Sequence, residues 1–168
     1  MTTLRLLVPR LLVPRLVVFG AVALLLVALV LRVEQRGSPG AGAVLADPVR
    51  TPGVLNPDVT QATIDSTICV HGWTRTVRPP VQYTNALKIK QMRAYGVIGS
   101  LADFQEDHLI SLELGGHPTD PRNLWPEPYP RASAVDRMEN ELNAKVCDGS
   151  LSLRDAQERE SALKHGEG

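Results

Sequence analysis

The amino-acid sequence predicts an α+β domain: a small core of two short strands and a helix, with additional helices, preceded by an N-terminal transmembrane or signal helix. Three observations carry that prediction. An uninterrupted apolar run, Leu16 to Leu31, lies near the start of the chain. Two short apolar segments, 109–114 and 123–125, flank a loop that opens on Gly115-Gly116. Downstream, Val135, Met138, Leu142 and Val146 recur at helical spacing. The 168 residues suffice for one domain of ordinary size once a terminal segment is set aside. Charges balance at 18 basic against 18 acidic residues, so the whole-chain count by itself points neither to a nucleic-acid binder nor to an enzyme of acidic substrates.

Residues 1–36 read as a membrane anchor or signal segment. The apolar run, extendable through Val33, sits at the lower edge of the roughly 17 to 25 residues that span a bilayer as a helix. Arg5, Arg10 and Arg15 precede it, which by the positive-inside rule exports the remainder. Ala41-Gly42-Ala43 has the small-x-small form of a cleavage site but stands twelve residues beyond Leu31, a spacing that favours a single-pass anchor in the cell membrane over a secreted product. Residues 37–50, rich in Gly, Ala and Pro, read as a linker, and the folded domain is expected over 51–168. From Asp47 onward there are 13 basic and 17 acidic residues, a net of −4. Cys69 and Cys147 both fall in this exported part, so a disulfide between them is expected, contributing on the order of 4 kcal/mol. Two cysteines alone do not make a structural zinc site.

Within the domain, Val59 to Ile68 reads as a helical turn or extended segment feeding a short strand at Ile68-Cys69-Val70. "GWTRTVRPP" reads as an extended segment ended by Pro79-Pro80. Thr84 is the expected N-cap of a helix over 85–95 that Gly96 stops. Arg75, Arg78, Lys88, Lys90 and Arg93 lie in a stretch without a single acid, 66–102, and are the candidate phosphate contacts; the plainer reading is a solvated helix face. Leu109 to Leu114 and Asn123-Leu124-Trp125 are the two expected strands, the second ended by Pro126, Pro128 and Pro130. Ser133 to Asp136 has the form of a capping box opening a helix that closes at Cys147 and Gly149. A last helix runs from near Ser152 toward Leu163, with a frayed polar tail at 164–168.

Strand, loop, strand and helix, with an acid beside a histidine at the first strand, form the frame on which the chemistry is read. Asp107-His108, Gly115-Gly116 and Asn123-Leu124 together resemble the HNH endonuclease family. More loosely, from about Thr51 to Gln157, "TICVHGWTRTVRPP" and "VCDGSLSLRDAQ" look similar to small exported bacterial proteins with HNH-like signatures. The resemblance implies a ββα-metal core, a divalent metal ion as cofactor (Mg2+ first, with Mn2+ or Zn2+ as alternatives), and DNA or RNA as substrate. It also implies a central asparagine, here Asn123, that holds the loop or the histidine ring. The family's closing His or Asn on the helix has no clean counterpart, because "WPEPYPRAS" intervenes.

The residues make a chemical case of their own. Phosphodiester hydrolysis needs a deprotonated water and a cation against the phosphate charge. His108, with an ordinary pKa of about 6.5, is the candidate base. Asp107 offers the hard oxygen that a magnesium-like ion prefers. On the following helix Asp136, Glu139, Asn140 and Asn143 are spaced to share one polar face opposite the apolar stripe, and Glu139 and Asn143 are the candidates to complete the metal site with Asp107. His71, His117 and His165 read as turn, loop and tail residues, and Trp73 and Trp125 as core aromatics.

The expected function is metal-dependent hydrolysis of nucleic-acid phosphodiesters with little sequence specificity, by a domain attached to the membrane through its N-terminal helix. A catalytically inactive extracytoplasmic domain of the same fold, binding a partner, is the alternative, favoured by the net −4 and the incomplete helix motif. A metal hydrolase of some other phosphodiester is a third reading. The sequence sets no oligomeric state.

Overall fold

Prolines decide where two of the helices begin. Their φ near −65° suits a helix start, and the missing N–H costs nothing there. Pro80 precedes a helix over Val81–Ala94, and Pro128 precedes one over Tyr129–Cys147 with Pro130 in its first turn. The computed structural model describes residues 44–166. The apolar run at 16–31, and the membrane or signal assignment built on it, lie outside the described residues. Among the described residues no helix is long and apolar enough to cross a membrane.

The fold is α+β. In chain order it comprises α1 (Thr74–Val77), α2 (Val81–Ala94), β1 (Phe104–His108), β2 (Leu124–Pro128), α3 (Tyr129–Cys147) and α4 (Leu153–His165), with 3-10 turns at Ile64–Ser66, Leu101–Asp103, Leu112–Leu114 and Pro121–Asn123. The strands form one antiparallel pair in which Asp107 faces Trp125 and His108 faces Leu124. Leu109 N–H donates to Asn123 O at 2.8 Å, so the bonded positions of the ladder alternate from there through Asp107·Trp125 to Gln105·Glu127. Pro126 and Pro128 therefore fall at non-bonded positions, opposite Glu106 and Phe104, where no N–H is needed.

Several sequence expectations shift. The first strand is 104–108 and not 109–114. The apolar run that follows is buried and closes into the 3-10 turn capped by Gly115 at φ 77°. The second strand contains two of the three prolines expected to end it, Pro126 and Pro128, while Pro130 lies in α3. "GWTRTVRPP" holds α1, a single helical turn closed by Arg78 N–H on Thr74 O, and 68–70 forms turns, not a strand. Thr84 lies inside α2, its hydroxyl donating to Val81 O. Ser133 lies inside α3, so no capping box forms at 133–136. The linker expected over 37–50 is packed at its end: Ala46 is buried and its N–H donates to Lys164 O at 3.2 Å.

The main core gathers Val59, Ile64, Ile68, Ile110 and Leu114 against Leu142 and Val146 of α3 and Leu153 and Ala156 of α4. Trp125 packs with Ala46 and Leu109 in a second cluster beside Tyr95. Met138, expected in the stripe, is 39% exposed; Ala132, Val135, Leu142 and Val146 carry the buried side of α3 instead.

Cys69 and Cys147 are disulfide-bonded, 78 positions apart, tying the segment before α1 to the end of α3. Their double replacement by Ser is expected to cost about 4 kcal/mol of unfolding free energy, because the unfolded chain regains the closed loop's entropy. Urea titrations of the double variant and of the thiol-reduced wild-type protein should agree on that loss.

Candidate active site

Asp107 and His108 end β1, and neighbouring strand residues point to opposite sides of a sheet. Asp107 thus faces α3 and α4, while His108 shares its side with Glu106, toward the N-terminal end of α2. His108 Nε2 lies 3.0 Å from Pro118 O. A carbonyl only accepts, so Nε2 carries the proton and Nδ1 of the neutral ring is left as the acceptor. Burial pushes the His108 pKa below its ordinary value, against an opposing contribution from the Pro118 hydrogen bond. His108 therefore holds a free base nitrogen at neutral pH.

Asn123 fixes the loop that fixes the ring. Fully buried, it accepts from Ile110 N–H at 3.0 Å and donates to Ile110 O at 3.0 Å and to His117 O at 3.1 Å. Its amide is engaged with backbone on both its oxygen and its nitrogen, so Asn123, expected among the catalytic residues, holds the loop next to Pro118. Gly116 makes this possible: a Cβ there would stand 1.7 Å from Ile110 O and 2.6 Å from Asn123 Nδ2. His117 is a loop residue as read, its Nδ1 accepting from Thr119 and Asp120 N–H.

Two spaces meet at Asp107 and His108. One is a small polar chamber of about 60 Å³ lined by Arg78, Gln105, Ser111, Glu113, Asp136 and Glu139 as well as the pair itself. The other is a cleft of about 400 Å³ between the strand and the start of α2, where Arg78, Val81, Thr84 and Glu106 line the wall. Of the basic stretch, only Arg78 lines these spaces. Arg75, Lys90 and Arg93 are exposed elsewhere on the surface. Lys88 is buried and donates to Phe104 O at 2.7 Å and Leu101 O at 2.9 Å, which removes it from the candidate phosphate contacts.

The expected metal set does not assemble as drawn. Asn143 turns away, donating to Glu113 O at 2.8 Å. Glu139 lies on the inward side of α3 with Val135 and Leu142, not opposite them, and it does converge with Asp107. They converge on the ammonium of Lys164, whose Nζ lies 3.0 Å from Asp107 Oδ2, 2.6 Å from Glu139 Oε1 and 3.2 Å from Glu160 Oε1, and which also donates to His108 O. Among the described residues no group of three or more His, Cys, Asp or Glu is spaced to hold a metal ion. Asp107 and Glu139 as they stand are spaced for an ammonium.

Lys164 and Glu160 are the site residues that sequence reading missed. Of the tail expected to fray, 164–168, Lys164 and His165 end α4 and Gly166 caps it, while 167–168 lie outside the described residues; Lys164 has no exposed surface. A signal was present: Leu153, Ala156, Glu160 and Lys164 fall on one helix face, so the apolar face continues into an (i, i+4) Glu–Lys pair.

Burial dominates the electrostatics. Glu106 and Glu127 are pushed up to about 8 and Glu139 to about 9, by desolvation first and then by the neighbouring Asp107 charge, with Lys88 and Lys164 opposing. Arg131 Nε stands 3.0 Å from Glu127 Oε1 but is not aligned for a hydrogen bond. Desolvation would also raise Asp107, but the Lys164 ammonium outweighs it and holds the carboxyl at about 2. The three raised glutamates bind protons in the folded state that the unfolded chain releases above about 4.5, so their linkage removes stability as pH rises toward 9. Asp107 works oppositely, its contribution fading only as pH falls below its ordinary 3.8 toward 2. The melting temperature is therefore expected to peak near pH 5 and to fall steadily to pH 9, and calorimetry across that range checks it.

No family model, no curated protein and no solved structure matches this chain.

Proposed function

We propose that the cleft over His108 hydrolyses nucleic-acid phosphodiester bonds, with His108 as general base and Arg78 as the cation facing the phosphate. The observation that carries this is the His108 ring: its Nε2 proton is committed to Pro118 O, which leaves Nδ1 as the base, and His108 lines a cleft that Arg78 also lines. In the reaction, Nδ1 takes a proton from water as that water's oxygen attacks phosphorus, and the bond to the sugar oxygen breaks, that oxygen taking its proton from solvent water. Arg78 offsets charge on the non-bridging oxygens. Asn123 and Gly116 hold the loop that orients the ring. The order Asp-His, Gly-Gly, Asn-Leu supports the same reading through its resemblance to HNH endonucleases.

Asp107 and Glu139 do not fit a divalent ion while the Lys164 ammonium stands between them, so no step is routed through one. Nothing lining the cleft has the arrangement of a base-reading element, and little sequence specificity is expected. The test is incubation of the purified chain with plasmid, single-stranded DNA and RNA in Mg2+, Mn2+ or EDTA. Cleavage that weakens with added salt supports the reading, since phosphate contacts are salt-sensitive. The acid-rich lining favours a second reading, a non-catalytic binding domain. Absence of cleavage under every condition would select it.

A further inference from the structure

We propose that the groove at the C-terminal end of α2, walled by Arg50, Lys90 and Arg122, holds backbone phosphates of the single nucleic-acid strand that runs on from the His108 cleft. The identity of the strand rests on the phosphodiester reading; the groove rests on its own shape and charge. Its volume is about 310 Å³, with Ala94 and Pro121 between the cations. The three cations lie far apart in the chain and are brought together by buried or half-buried side chains. Gln91 Nε2 donates to Pro121 O at 3.0 Å and to Leu124 O at 2.7 Å, which clamps the Arg122 loop to α2. The Tyr95 hydroxyl accepts Asp47 N–H at 3.0 Å and shares a hydrogen bond of 2.6 Å with Thr51 Oγ1, which brings Arg50 to the same end of the helix.

Charge decides the occupant. Lys90 makes no ion pair among the described residues, and Arg93, nearly one turn further along α2, is exposed beside it. Arg122 gives its Nε proton and one Nη2 proton to Asp120, at 3.0 and 2.7 Å, which leaves three of its five donors for a ligand. Arg50 stands 3.8 Å from Asp47, too far for a hydrogen bond. Two carboxylates thus answer four cations, in a chain whose net charge from Asp47 onward is −4. Unused N–H donors in series fit an anion that presents oxygens in series, as a phosphate backbone does. One side of α2 joins this groove to the cleft. Thr84 lines the cleft and Lys90 the groove, six residues or about 9 Å of helix apart. Tyr83 lies between them, its hydroxyl donating to Thr119 O in the loop that also carries Pro118, and its half-exposed ring gives a base a face on which to stack. A run of this length calls for an oligonucleotide and not a free phosphate ion.

The experiment follows the anisotropy of a labelled single-stranded oligonucleotide with the full chain in EDTA, between about 50 and 200 mM salt. Arg50→Gln with Lys90→Gln and Arg122→Gln is expected to weaken binding about 10- to 100-fold and to flatten the salt dependence by about two counterions, since a single strand releases about 0.7 for each phosphate neutralised. Removal of the same charge from α3 and α4, by Lys145→Gln with Arg154→Gln and Arg159→Gln, should change affinity less than about threefold, because these side chains are exposed elsewhere. Lys90→Glu alone, at an exposed and unpaired position, should weaken binding at least about fivefold and serves if the triple variant does not fold. Where the wild type cleaves, the groove variants should raise KM and leave kcat unchanged. Binding that the groove variants weaken in a chain that cleaves nothing upholds the groove and sinks only the hydrolytic reading. Affinity unchanged in the groove variants, an equal loss in the α3 and α4 variant, or no binding by the wild type would overturn the proposal. So would binding confined to vesicles of anionic phospholipid, which would assign the face to a membrane surface.

Discussion

Lys164→Met is expected to be the most damaging single substitution in the domain, costing about 3–5 kcal/mol of unfolding free energy, the range for removing one partner of a buried charge pair. The corresponding loss in melting temperature is roughly 10 °C or more. Methionine keeps much of the side chain's length and packing but leaves the ionised Asp107 buried without its ammonium, beside the carboxyl groups of Glu139 and Glu160. The three carboxyl groups come from β1, α3 and α4, so losing the ammonium that bridges them acts on the contacts that join the strand pair to both C-terminal helices. The pH dependence separates charge from packing. Asp107 is held at about 2, against its burial, chiefly by this ammonium; without it the carboxyl titrates far higher. The penalty should therefore be largest at pH 8 and shrink toward pH 5 as the cluster takes up protons. A loss independent of pH would assign Lys164 to packing alone.

The second large effect concerns rate. His108→Ala is expected to lower phosphodiester cleavage by about 10²–10⁴, the range for loss of a general base. His108→Gln keeps a group able to donate to Pro118 O but supplies no base, and it should be as slow as the alanine variant with less disturbance of the loop. The wild-type rate should rise with pH through a value below the ordinary histidine range and stay level above it, because burial lowers the pKa of the base and only the neutral ring accepts a proton. Mutation of Asn123 should move that profile as well as the rate, since the amide acts through the loop that orients the ring.

The apolar patterns of this chain were legible where one side of an element is apolar and the other wet. Val135, Leu142 and Val146 marked the buried side of α3, and the cysteine pair marked the bond that closes onto it. The association of Asp107-His108 with Gly115-Gly116 and Asn123 came from the resemblance to HNH endonucleases, and in the fold Asn123 and Gly116 hold the loop whose Pro118 carbonyl the His108 ring bonds. What escaped was set by buried polarity. "LISLEL" has the apolar content of a strand, yet the ladder forms on "FQEDH", whose Glu106, Asp107 and His108 are all buried. Prolines placed at non-bonded ladder positions leave β2 intact, which depends on register and cannot be read from composition. The spacing of Asp136, Glu139, Asn140 and Asn143 puts Glu139 on a polar face away from the core. In the fold it faces inward because Lys164, a residue of the opposite helix near the chain end, meets it there. No local pattern announces a partner 25 positions away.

The most direct measurement is the initial rate of cleavage of a labelled single-stranded oligonucleotide by wild type and His108→Ala, both confirmed as folded, in Mg2+, Mn2+ and EDTA. The expected result is cleavage by the wild type that falls at least about 100-fold in the variant. Equal rates from the two proteins, or no cleavage by the wild type in any of the three solutions, would contradict the account.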